Sequence, residues 1–231
     1  MRGSVTEQKQ HEPPGAEPAD ALSLYVWRKP ATEVAVLAAR SGIGASAVVA
    51  GGAFLAALTL RLFWTGHYWP GIACALLFSF TAAVAVRLAA DSPAIRVQRV
   101  IDVVHPPFWW WAWQHGLAAH GKAAEPVLAT MILAAIVGGY IADLTIAWIA
   151  KRRHGVAIDR WRPFDSRFRL IAAHRNVNLL ILAGALSVGR PALGLKLVAW
   201  WTLASAIVHA VRLAQMNERA GRARAIRSWL D

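Results

Sequence analysis

An all-helical, polytopic integral membrane protein is the fold class that the sequence predicts, on three observations. Of the 231 residues 57% are hydrophobic and only 16% are charged, and apolar runs near membrane-spanning length recur along the chain. With 12 Trp and a formal net charge of +12, this composition excludes a disordered chain and an ordinary soluble enzyme. Cys74 is the single cysteine, so a disulfide framework, a CxxC metal site and a redox pair are excluded as well. Nothing in the pattern suggests strands.

Taken in order, residues 1–20 carry Pro13, Pro14 and Pro18 among Glu7, Glu12, Glu17 and Asp20. They hold no apolar stretch of signal-peptide length and read as a solvated flexible tail. Residues 21–42 read as a juxtamembrane segment, anchored by Tyr25 and Trp27 beside Arg28 and Lys29. Hydropathy then places six transmembrane helices in a domain of residues 43–213, at 43–64, 68–88, 100–117, 126–150, 170–188 and 193–213. Residues 214–231 form a basic tail. In the first span Gly42, Gly44, Gly51 and Gly52 predict close helix approach, against the alternative of generic membrane filling.

Basic residues stay preferentially on the cytoplasmic side. Most of the 25 Lys and Arg residues lie in the N-terminal segment, the 89–99 connection, the 151–169 connection and the C-terminal tail, against Arg61, Lys122 and Arg190 on the opposite side. Both termini are therefore expected to be cytoplasmic, and the expected location is a bacterial cytoplasmic (inner) membrane. The same asymmetry accounts for the high charge through contact with anionic headgroups, so no nucleic-acid partner is expected.

A charge inside a bilayer is costly, which makes intramembrane ionisable groups the place to look for chemistry. They are Asp102, His105, Asp143, Arg175, Lys196 and His209. Lys196 reads as snorkelling and His209 as a hydrogen-bonded packing residue. Asp102 and Asp143 are either functional or structural partners of Arg152, Arg153 or Arg175. Residues 101–113, IDVVHPPFWWWAW, put a carboxylate, an imidazole, two prolines and an aromatic cluster together. Pro106 and Pro107 remove two backbone donors and predict a kink or interruption that frees carbonyls near Asp102. Trp109, Trp110, Trp111 and Trp113 point in several helical directions and predict packing or a pocket lining, beyond an aromatic belt. A second polar cluster follows in residues 159–178, where Arg160, Arg162, Arg167 and Arg169 suit a phosphate or pyrophosphate clamp and His174, Arg175, Asn176 and Asn178 carry polarity into the helix. An interfacial loop held by anionic lipid is the alternative.

The segment at 101–113 resembles a branch of the CDP-alcohol phosphatidyltransferase family, and the resemblance extends from about Trp27 to Leu213. It implies six membrane helices, a tendency to dimerise, and transfer of a phosphatidyl group from a CDP-linked donor to an alcohol. The family pattern D-x-x-D-G-x-x-A-R, eight residues, then G-x-x-x-D-x-x-x-D, implies carboxylates that hold Mg2+ or Mn2+, the last one being the proposed base. Laid on residues 80–90, it places Ala82 and Ala85 at the first two aspartates, Val86 at the glycine, Ala89 at the alanine and Ala90 at the arginine. Counting back from the His-Pro-Pro triplet places Gln98 at the third aspartate and Asp102 at the fourth, across a shortened intervening stretch. Asp102 is thus the expected catalytic residue, and Arg160, Arg162, Arg167, Arg169, Arg175 and His105 are the expected substrate-binding residues. With three of four carboxylates replaced, the ligands of a hard divalent cation are largely absent and no metal site is assigned. Impaired standard chemistry follows, because losing electrostatic stabilisers is costly in rate.

Three functions compete: a divergent headgroup transferase acting on a CDP-linked lipid donor; a noncatalytic relative that binds phospholipid or pairs, as homodimer or heterodimer, with an active family member; and a small lipid or solute transporter. The last is the weakest, since no inverted repeat is evident. Nucleophilic hydrolysis has no support, as neither GxSxG nor HExxH occurs.

Overall fold

A computed structural model describes residues 20–89, 91–222 and 226–229. Among them the chain is all-helical, with no strand. The predicted tail at 1–20 lies outside the described residues except for Asp20, and Ala90 lies outside them too. A π-helical turn, Ser23–Trp27, leads into α1 (Arg28–Arg40), α2 (Ala45–Trp64), α3 (Tyr68–Leu88), α4 (Pro93–Ala119) and α5 (Pro126–His154). A 3-10 turn, Ile158–Arg160, is followed by α6 (Pro163–Arg169), α7 (Arg175–Ser187) and α8 (Pro191–Gly221).

Local chemistry sets these boundaries. Helices α4, α5, α6 and α8 each begin with a proline at the first turn, where the missing N–H has no intrahelical partner to lose. Glu125 caps α5 by accepting from the Leu128 N–H at 3.2 Å. That helix ends at Gly155, whose φ of +71° is left-handed backbone that glycine adopts without a Cβ clash.

Four helices, α2, α3, α5 and α8, are long and apolar enough to cross a membrane. Helix α4 starts at Pro93, ahead of the expected residue 100, and includes Arg96, Arg99 and Asp102. Helix α7 starts only at Arg175 and covers 13 residues, about 20 Å at 1.5 Å per residue. Helix α8 continues to Gly221, past the expected tail boundary at 213. Residues 226–229 of that tail lie in the structure, and residues 223–225 and 230–231 lie outside the described ones.

Helices α2, α3 and α4 form one group, with α1 laid on α3; α5, α7 and α8 form the other. The core between them is aromatic. Trp109 and Trp113 are buried against Phe63, with ring centroids at 6.3 and 5.0 Å in edge-to-face arrangement. Their indole N–H groups donate to the carbonyls of Ala56 (3.0 Å) and Pro191 (3.4 Å). Trp110 is also buried, whereas Trp111 is 50% exposed.

Helix α4 is not interrupted at Pro106 and Pro107, contrary to expectation. The carbonyls that lose their usual donors are those of Asp102 and Val103. Tyr140 of α5 makes good the second, donating its hydroxyl to the Val103 carbonyl at 3.0 Å.

Of the glycines singled out in the first span, only Gly52 makes a close approach: a Cβ there would lie 2.9 Å from Thr81 Oγ1, and at Gly42, Gly44 and Gly51 it would meet nothing. The tightest glycine contact is Gly116 on α4, where a Cβ would lie 2.2 Å from the Phe63 carbonyl oxygen. A backbone oxygen cannot swing away. Gly116→Ala is therefore expected to destabilise the protein by about 1–3 kcal/mol through overpacking. Gly138→Ala, where a Cβ meets open space, is expected to be neutral or stabilising by up to about 1 kcal/mol. Thermal unfolding of the two purified variants in detergent checks both, and equal midpoints would refute the close packing of α2 on α4.

Candidate functional site

Polar side chains collect where the two helix groups meet, toward the end that carries the arginine-rich connection. Asp102 of α4 accepts from Arg175 Nη1 at 2.6 Å and from Gln98 Nε2 at 3.1 Å, both on the same carboxylate oxygen. The spacing from Gln98 to Asp102 is one helical turn, which puts the two side chains on one face. Arg175 is the first residue of α7, and its guanidinium carbon lies 4.7 Å from the centroid of Phe78. Of the three basic partners considered for the aspartates, Arg175 is the one that Asp102 takes. Asp143 of α5 pairs instead with His209 of α8 through His209 Nδ1, and Arg152 lies over Trp148 at 4.9 Å. Lys196 is exposed, as a snorkelling residue would be.

His105 is buried between Phe78 and Trp109, with ring centroids at 4.8 and 4.3 Å. A carbonyl only accepts, so Nδ1 carries the proton and donates to Ile101 O at 2.6 Å. This is a packed imidazole, and its buried Nε2 has no partner.

Asp20, the end of the expected tail, belongs to the same layer. It accepts from the Ser23 N–H at 2.9 Å, starting the first helical turn, and from Asn176 Nδ2 at 2.8 Å. Asn176 Oδ1 in turn accepts from Ser79 Oγ at 2.6 Å. One carboxylate therefore ties the N-terminal segment to α7, and one amide ties α7 to α3.

The expected phosphate clamp is distributed differently. Arg169 pairs with Asp159 at 3.2 Å. Arg162 is exposed and lies over Trp161 at 4.5 Å, Arg167 is exposed, and Arg160 is half-buried. What holds the connection is Arg212 of α8, which grips both oxygens of buried Asp165 at 2.5 and 2.8 Å. Its guanidinium also lies 4.5 Å from Trp161 and 5.5 Å from Phe164. From the C-terminal segment, Trp229 donates its indole N–H to Ser166 Oγ at 2.9 Å and its backbone N–H to Arg160 O at 3.2 Å.

The positions aligned with the family motif are mostly packing positions. Ala85 is wholly buried in a cluster with Ala45, Val49, Ala94 and Ile95; Ala82 and Gln98 are buried, Ala89 is half-buried and Val86 is exposed. Among the described residues no group of three or more His, Cys, Asp or Glu side chains is arranged to hold a metal ion. The sequence reasoning missed Arg212 with Asp165, Tyr140, and the Asp20–Asn176–Ser79 chain. Tyr140 had an antecedent signal in the two carbonyls that consecutive prolines leave open, and Asn176 had one as a polar residue at the start of a span.

If Asp102 and Arg175 hold each other, neutralising one leaves the other charge unpaired within the apolar bundle. Asp102→Leu and Arg175→Met are each expected to lower the thermal midpoint in detergent, and the double variant to recover more than half of the larger loss. Strictly additive losses would mean that the pair is not coupled. Comparison of the chain with family models, with curated proteins and with solved structures finds no match.

Proposed function

We propose that this chain is a membrane-embedded relative of the CDP-alcohol phosphatidyltransferases that holds phospholipid and does not carry out the metal-dependent transfer of a phosphatidyl group. The observation that carries this reading is the state of Asp102. In the resemblance its carboxylate is the expected base, beside a metal held by its neighbours. Here a guanidinium at 2.6 Å and the Gln98 amide at 3.1 Å occupy it. A cation in contact with the carboxylate repels a second cation, and Gln98 donates to Asp102 where a carboxylate ligand is expected. This donor set does not fit Mg2+ or Mn2+.

The topology that accompanies this reading has six spans, α2, α3, α4, α5, α7 and α8, with both ends of the chain on the basic, cytoplasmic side. Its supports are the order of these helices along the chain, with the short α6 in the connection between α5 and α7, and the arginine-rich connection itself, where Arg162, Phe164 and Arg167 are exposed. Exposed guanidinium near an exposed aromatic suits anionic headgroups. The bacterial cytoplasmic membrane is the location that this charge placement favours.

Purified protein in lipid nanodiscs, given a CDP-linked diacylglycerol donor with Mg2+, Mn2+ or chelator, is expected to release no CMP while retaining phospholipid detectable by native mass spectrometry. Metal-dependent CMP release would overturn the proposal. Copurification of an active family member in place of lipid would make the chain a partner subunit. Arg162→Gln with Arg167→Gln is expected to weaken retention of an anionic phospholipid relative to a zwitterionic one, and equal retention by wild type and variant would remove these arginines from lipid binding.

A further inference from the structure

At the end of the bundle away from the arginine-rich connection, the last turns of α4 and the first turns of α5 diverge around a cavity of about 280 Å3. It has no part in the reading above and stands independently of it. Trp111, Gln114 and His115 line one wall; Ala129, Thr130 and Leu133 line the other. On each helix the three residues are spaced so that they share one face.

Gln114 makes this cavity a site. Its side chain is buried, at 9% exposure, and among the described residues it makes no hydrogen bond. Its amide is not sealed off from the open space of the cavity and stays available to a ligand. His115 adds an acceptor. Its Nδ1 donates to the Trp64 carbonyl at 3.3 Å, and its ring stacks on Trp64 with centroids 3.5 Å apart, so that Nε2 is the ring nitrogen left to meet a ligand, as an acceptor in the tautomer with the proton on Nδ1. Trp111, half exposed and held edge-on to Trp64 at 4.9 Å, supplies a rigid aromatic wall. Thr130 Oγ1 donates to Pro126 O at 2.9 Å and keeps its lone pairs for accepting.

No charged side chain lines this space. An anionic or cationic group would enter without a counter-charge, which excludes phosphate and ammonium as its preferred occupants. An amide, an imidazole acceptor and a hydroxyl beside an aromatic face fit a ligand with several hydroxyl groups on a saturated ring, whose C–H face lies on the indole while its O–H groups meet the polar atoms. The volume is at the lower end for small-molecule pockets and suits a single ring. The geometry points to a binding site for a neutral, hydroxyl-rich group, a sugar ring or comparable polyol, presented as a lipid headgroup or free in solution.

The test uses the full chain in phosphatidylcholine nanodiscs supplemented with monoglucosyl diacylglycerol or, in parallel, with phosphatidylethanolamine, and counts retained lipid by native mass spectrometry. Selective retention of the glucosyl lipid is expected. Competition by soluble methyl glucoside would assign the site to the sugar itself, and its absence would assign it to the membrane-borne headgroup. Ala129→Phe, which fills the cavity from the less buried wall, and Trp111→Ala are each expected to lower retention at least tenfold. Trp111→Phe is expected to keep most of it, and unchanged thermal midpoints would show that the variants fold. Equal retention of glucosyl lipid and phosphatidylethanolamine, or no loss in folded Ala129→Phe, would overturn the proposal.

Discussion

A charge placed within an apolar bundle must find its partner inside the protein, and the arrangement of this molecule depends on how Asp102 meets that demand. Its partner, Arg175, stands at the start of a helix in the other group. The pair therefore does more than neutralise a carboxylate, because it links α4 to α7, two helices that otherwise hardly pack on one another. Around it the same rule operates with weaker groups: Asn176 joins α7 to α3 and to the N-terminal segment, and Tyr140 joins α5 to α4. The two helix groups meet less extensively than their members pack among themselves. A few directional bonds thus add to the apolar core that the two groups share.

This division explains what was legible in the sequence. Helix existence followed from hydropathy, and α2 and α3 lie where composition places them, because apolar runs bounded by Gly and Pro leave little choice. The end of α7 toward the arginine-rich connection was misjudged. Residues 170–174 are apolar enough to extend a span, but a short turn there delivers Arg175 to Asp102, and that tertiary demand is invisible to a hydropathy window. Of the kink or interruption expected at the two prolines, the interruption does not occur, and a hydroxyl from another helix meets one of the two carbonyls they leave open.

The candidate site was legible in part. Asp102 and Arg175 were singled out by the cost of charge in lipid, and they do meet. His105 and the arginines of the 159–169 connection were chosen by residue type, and residue type alone could not say that the imidazole is packed among aromatics or that Arg169 has Asp159 as a neighbour. Arg212 was passed over as one basic residue among many at the end of a helix. Its value comes from Asp165, forty-seven residues earlier in the chain, and from two aromatic rings that no spacing rule links to it. Ala82 and Ala85, aligned with motif aspartates, are buried packing residues.

The anchoring of the arginine-rich connection also bears on the order in which the molecule is completed during synthesis. The connection is made between α5 and α7, yet Asp165 is gripped by a residue of α8 and Ser166 receives a bond from Trp229. Both partners leave the ribosome later than the segment they hold. Until the last turns of α8 have been made, Asp165 lacks Arg212 and Trp161 has only Arg162 over its ring. The 159–169 connection consequently acquires its final shape only after α8 and the segment that carries Trp229 have been made.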